Sequence, residues 1–133
     1  MSKANKSTSY GLLALRVTAG LIFIMAGWGK LADISMFAGM LEVKGFFMPQ
    51  ALAYLVAAVE FLGGLAILFG AYLRFAAKLL AIVMIVALLV VHAGGPFTEA
   101  IPALSLLGSS LALMFMGGGD WMLTKKDWCM IKK

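Results

Sequence analysis

The chain has 133 residues, of which 63% are hydrophobic and 13% charged, with a formal net charge of +5. A soluble domain carries about a quarter charged residues and roughly half apolar ones, so this composition cannot clothe a water-facing surface, and lipid is the fitting solvent. The cations lie at the chain ends and between apolar runs, not in one patch, which argues against nucleic acid, and the single cysteine, Cys129, excludes an internal disulfide, a CxxC redox pair and a zinc cluster within the chain.

The first apolar run, 10–31, is long enough to cross a bilayer as a helix, which takes about 20 residues. Lys3 and Lys6 ahead of it resemble the start of a secretory signal. Arg16 interrupts the run, however, and no small-x-small cleavage site follows Gly29, so the helix is expected to be retained. Arg16, Gly20, Phe23, Gly27 and Lys30 recur at alternating steps of four and three, which places both cations and both glycines on one stripe facing the bundle. The next stretch, 32–50, mixes Asp33, Glu42 and Lys44 with apolar residues such as Phe37, Met40 and Leu41, and reads as a short amphipathic segment in the interface.

The second span, 51–69, carries Glu60 near its middle. An ionisable group at that depth is costly unless it faces protein or water, so Glu60 points inward, on a face with Ala53, Val56, Ala57, Gly63, Gly64 and Ile67. The small residues there, Gly63 and Gly64 above all, admit a neighbouring backbone. Two readings stand for Glu60: a carboxyl used in packing, or a proton- or ligand-binding group. Arg16 and Glu60 differ in depth by roughly 7 Å at 1.5 Å per residue, within reach of an extended arginine. The lean of side chains toward each helix's N-terminus works against that pair, and a bridging water or a snorkelling Arg16 is the alternative.

The third span, 75–92, ends at His92, the sole histidine, on one stripe with Lys78, Ala81, Ile85 and Leu88. It is either a titrating or ligand-binding group or an ordinary interface histidine, and without a second histidine it makes no haem ligand pair. The fourth span, 103–117, is short, with Pro102 suited to its first turn and Gly117 to Gly119 to its end. Ser105, Gly108, Ser109 and Ala112 give it a small, weakly polar face suited to close packing or to a hydrogen bond with Glu60.

The expected fold is therefore all-α, a single domain of residues 1–133 folded as an integral-membrane antiparallel four-helix bundle. Lys3, Lys6, Arg74, Lys78, Lys125, Lys126, Lys132 and Lys133 fall on one side, eight against Lys30 and Lys44 on the other, which places both termini in the cytoplasm. Walker, GxGxxG, nucleophile-elbow and HExxH motifs are absent, so the sequence offers no catalytic residues, no metal site and no intrinsic cofactor.

Taken in order, LRVTAGLIFIMAGWGKL from Leu15 to Leu31, the Gly45 to Pro49 turn, EFLGGLAILFGAYLR from Glu60 to Arg74, and the GGGDW ending resemble the DoxX family over nearly the whole chain. The shared positions are Arg16, Lys30, Glu60, Gly63, Gly64 and Arg74. The resemblance implies a four-helix protein of a bacterial or archaeal cell membrane linked to redox biology, since relatives include a subunit of thiosulfate:quinone oxidoreductase and a membrane partner of oxidative-stress enzymes. The ending, with Trp121 and lysines after Gly117 to Asp120, fits the family pattern loosely.

Two functional expectations follow. The first is a non-catalytic membrane subunit or scaffold of an oxidoreductase or oxidative-stress system, at most an accessory subunit, partnered by a soluble or membrane redox enzyme and able to hold a quinone. The second is a small proton-coupled transporter or permease, a bundle able to form a homo-oligomer, with Arg16, Lys30, Glu60 and His92 as the intramembrane polar groups.

Overall fold

A computed structural model describes residues 5–123 and is all-helical over them. Its elements are α1 (Lys6–Ala32), α2 (Ile34–Val43), α3 (Pro49–Phe69), α4 (Leu73–Val86), continued by a π-helical turn at Ala87–Val91, and α5 (Phe97–Met116). Four of these helices are long and apolar enough to cross a membrane. Lys3, Lys125, Lys126, Cys129, Lys132 and Lys133 lie outside the described residues.

The bundle is two helix pairs. α1 packs most extensively on α3, and α4 on α5; the pairs meet mainly through α3 and α4, while α1 and α5 barely touch. Glycine explains the first pairing. A Cβ on Gly27 would lie 2.5 Å from the backbone nitrogen of Phe61, and one on Gly64 would lie 2.8 Å from that of Ile24, so neither position admits a side chain. The close backbone approach replaces the hydrophobic drive that lipid does not supply. Between α3 and α4, Leu80 fills the space left by Gly63. The core runs through Leu12, Phe23, Ile67, Leu73, Leu80 and Leu113.

The stretch after α1 is helical. Asp33 caps α2, its carboxylate accepting from the Met36 N–H at 3.2 Å, and Ala38 and Leu41 of α2 bury against Ala53 of α3. Gly45, with φ +83°, makes the left-handed turn that brings the chain back toward α3.

Three expectations need correction. α5 begins at Phe97, so Pro102 lies inside the helix, not in its first turn. The ring costs one backbone bond, to the carbonyl of Thr98, and Thr98 is exposed near the helix start. The small face of α5 is not its packing face: Ala103, Leu106, Ser110 and Leu113 are buried, a Cβ on Gly108 would meet nothing within 4 Å, and the Ser109 hydroxyl donates to its own helix at the Ser105 carbonyl. Finally, the regular stripe from Lys78 to His92 is broken by the π turn, where the His92 N–H bonds the Ala87 carbonyl five residues back.

Candidate functional site

The two ends of the bundle hold different polar groups. At one end sits Arg16, 1% exposed. Its Nε donates to the Ile67 carbonyl at 3.1 Å and its Nη2 to the Leu68 carbonyl at 3.0 Å, while Nη1 donates to the carbonyls of Gly118, at 3.1 Å, and Trp121. Ile67 and Leu68 belong to the last turn of α3, where helix geometry leaves carbonyls without donors and concentrates negative charge. That turn is fully accounted for. The Ala71 N–H bonds Ala66, Gly70 N–H and Arg16 share Ile67, Arg16 takes Leu68, and Leu123 N–H takes Phe69.

Gly70 is required twice here. Its φ is +72°, and a Cβ would lie 2.5 Å from the Arg16 guanidinium. The glycine-rich segment after α5 folds over the same end, where the Ser9 hydroxyl donates to Asp120 at 2.8 Å. Arg74 lies beside it, its guanidinium 3.5 Å from where a Cβ on Gly117 would stand. Arg16 is therefore a clamp that joins α1, α3 and the segment after α5.

Glu60 faces the other end and pairs with Lys30, Nζ to Oε2 at 2.6 Å, the one ion pair among the described residues. Side chains lean toward the N-terminus of their own helix, and α1 and α3 are antiparallel, so Lys30 and Glu60 lean toward each other while Arg16 leans away. Glu60 is 2% exposed and Lys30 26%. The ammonium also stands 5.3 Å from the centroid of the Phe37 ring on α2, within cation–π range.

This pair forms part of the wall of a cavity of about 540 Å³ between the two helix pairs. α2 contributes Phe37 and Met40, the π turn leads His92 to the cavity, and Glu99 lines it from the first turn of α5. The remaining lining is apolar. Such a volume, with a few polar groups on apolar walls, has the dimensions of a small-molecule site. Thus Lys30, Glu60 and His92 share one cavity, and Arg16 does not line it. Among the described residues no three His, Cys, Asp or Glu side chains come together as a metal site.

Glu99 does not stand out in the sequence, where 93–102 reads as a loop. The signal was present: Gly94, Gly95 and Pro96 break the preceding helix, and an acidic residue three positions after the proline is a helix-start pattern. The carbonyls that bind Arg16 carry no side-chain signature at all.

The DoxX family model matches residues 11–93, from the start of the first span to just past His92. The chain belongs to the DoxX family. It is 37% identical over 97 residues to a Bacillus subtilis (strain 168) protein named "Putative oxidoreductase CatD", covering 70% of this chain and 68% of that one. It is also 33% identical over 134 aligned positions to the "Inner membrane protein YqjF" of Escherichia coli (strain K12), covering 91% of this chain and 98% of that one. No solved structure matches significantly. Arg16, Lys30, Glu60 and His92 all lie inside the matched region, whereas Glu99 and the segment that closes over Arg16 lie beyond it. The chain is a multi-pass membrane protein of that family.

Proposed function

We propose that this chain is the membrane subunit of an oxidoreductase system and that the cavity at its Lys30 end holds a quinone. The observation that carries the reading is the Lys30–Glu60 pair set in the wall of an otherwise apolar cavity. A quinone ring suits apolar walls, and its carbonyl oxygens need donors; the Lys30 ammonium, held in place by Glu60, supplies one and His92 is available as a second. When bound, a quinone would supply electron transfer coupled to protons. The chain's own part is to bind the ring, orient it and exclude water, while a soluble or membrane redox enzyme exchanges the electrons. The word oxidoreductase in the name of the Bacillus relative supports the same reading.

Transport of a polar solute is the weaker alternative. Alternating access needs an opening at each end, and the Arg16 end is filled by the guanidinium and the segment over it. The test is titration of the detergent-purified protein with decylubiquinone, followed by intrinsic tryptophan fluorescence, together with solvent extraction of any co-purifying quinone. Saturable binding that weakens about tenfold or more in Lys30→Met is expected. Absence of saturable binding, with no quinone extracted, sinks the reading.

We further propose a bacterial or archaeal cell membrane, with the Arg16 end facing the cytoplasm and the cavity end facing outward. The cation bias supports that orientation, and the approach of Ser9 to Asp120 supports having both chain ends on one side. After replacement of Cys129, a cysteine at position 44 should react with a membrane-impermeant thiol reagent in intact cells and one at position 5 should not. The opposite pattern reverses the topology.

A further inference from the structure

The main cavity does not end at the helix pairs. A second cavity of about 210 Å³ lies between α1 and α5, lined by Leu15, Thr18, Ala19 and Ile22 on one side and by Ser105 and Ser109 on the other. Pro102 and Leu106 line both cavities, so the two adjoin. Along α1 the lining runs from Lys30 through Ala26 to Ile22, Ala19 and Leu15, about 22 Å at the helical rise.

The groove exists because α1 spends its glycine face on α3, and α5 spends its buried face on α4. Its floor is kept low by small residues, Ala19, Ser105 and Ser109. Two of its three hydroxyls are engaged with their own helix: Thr18 donates to the Ala14 carbonyl at 2.8 Å and Ser109 to the Ser105 carbonyl at 2.9 Å. What is left is an apolar trough. Thr18, Ile22, Pro102 and Ser105 are exposed, so its side lies open to the hydrocarbon.

We propose that the cavity and the groove form one site for a membrane-dissolved amphiphile, a quinone with a long apolar tail, whose ring lies by Lys30 and Glu60 and whose tail leaves between α1 and α5. The inference rests on the quinone reading and adds the path of the tail. A ring held in the main cavity must lead its tail out somewhere, and the groove offers a route into lipid that crosses no charged group. Lipid is as apolar as the groove, so the tail gains little by lying there; the groove acts by shape. The ligand enters sideways from the bilayer and never passes through water.

Ser109→Leu and Ser105→Leu fill the groove from outside the ring-binding cavity. Each purified variant and the parent protein would be titrated with decylubiquinone and with the tail-less ubiquinone analogue. The parent should bind both, and the variants should bind the tailed compound about tenfold more weakly or worse while the tail-less compound changes less than about twofold. Equal effects on the two compounds, or no effect on either, overturn the tail path and leave the quinone reading standing. Selective loss of the tailed compound in Ile82→Trp, with none in the serine variants, would put the tail between α3 and α4 and also overturn it. A parent protein that binds neither compound overturns the quinone reading and the tail path with it.

Discussion

The Arg16 end and the Lys30 end of this bundle each turn a cation of α1 toward α3, yet they solve opposite problems. At the Arg16 end the positive charge is spent on backbone: the guanidinium satisfies carbonyls of α3 and of the segment after α5, and little space remains. At the Lys30 end the positive charge meets one carboxylate, keeps donors to spare, and borders about 540 Å³ of open volume. The planar, forked arginine suits the first role, and the single-headed, flexible lysine suits the second. In lipid, where water cannot repair an unsatisfied carbonyl, the first arrangement holds helices together. The second leaves a partly exposed ammonium that can turn to a ligand.

The contrast is tested most severely at Arg16. Arg16→Leu should lower stability by about 3–5 kcal/mol, because several charge-assisted hydrogen bonds are lost and the carbonyls remain buried. Arg16→Lys should recover less than half of that, since a point charge cannot span α3 and the Gly118–Trp121 segment together. Denaturation in mixed detergent micelles would measure both. A leucine variant as stable as the parent would remove the distinction between the two ends.

Next in size is the glycine register that holds α1 against α3 and so fixes which cation meets Glu60. Gly27→Ala puts a methyl into the Phe61 backbone and should cost about 1–3 kcal/mol. Gly29→Ala, where a Cβ would meet nothing within 4 Å, should change stability by less than about 0.5 kcal/mol or raise it. Similar losses in the two variants, by the same measurement, would mean that backbone contact does not set the register.

How far the two ends could be read in the sequence follows from the same contrast. The spans and their inward faces were legible because charges and glycines are rare enough in lipid-facing sequence to mark helical stripes: Arg16, Gly20, Phe23 and Gly27 are all buried, as are Glu60, Gly63 and Gly64. The partner of Glu60 is not legible in the sequence, since it depends on the axial offset of α3 against α1, which the α2 excursion and the Gly27–Phe61 contact set. The direction of side-chain lean did point away from Arg16. Its actual acceptors are main-chain oxygens, which no residue pattern encodes. Likewise the π turn, which brings His92 to the cavity, adds a residue to one turn without any proline or glycine to announce it. The polar face of α5 misled because serines that bond their own helix are as acceptable to lipid as to a neighbour.

The smallest expected loss from removing a contact is at the Lys30–Glu60 pair, and its asymmetry is the sharpest statement of what the cavity end is for. Lys30 is 26% exposed and carries a flexible stem, so when its partner is removed it can turn to the cavity mouth and be hydrated. Glu60, 2% exposed at mid-helix, has no such escape. Lys30→Met should therefore cost about 1–2 kcal/mol, within the upper range of polar pairs in membrane proteins. Glu60→Gln, which keeps an acceptor for the ammonium, should cost about 0.5 kcal/mol, and Glu60→Leu should fall between the two. The double variant Lys30→Met/Glu60→Leu should be no less stable than Lys30→Met alone, because an apolar pair leaves nothing unsatisfied. If this pair were a clamp like Arg16, the double variant would instead be the least stable of the set. Equal stability of Glu60→Leu and the parent would show that the pair contributes nothing to holding the bundle, leaving ligand binding as the quantity by which Lys30 and Glu60 must be judged.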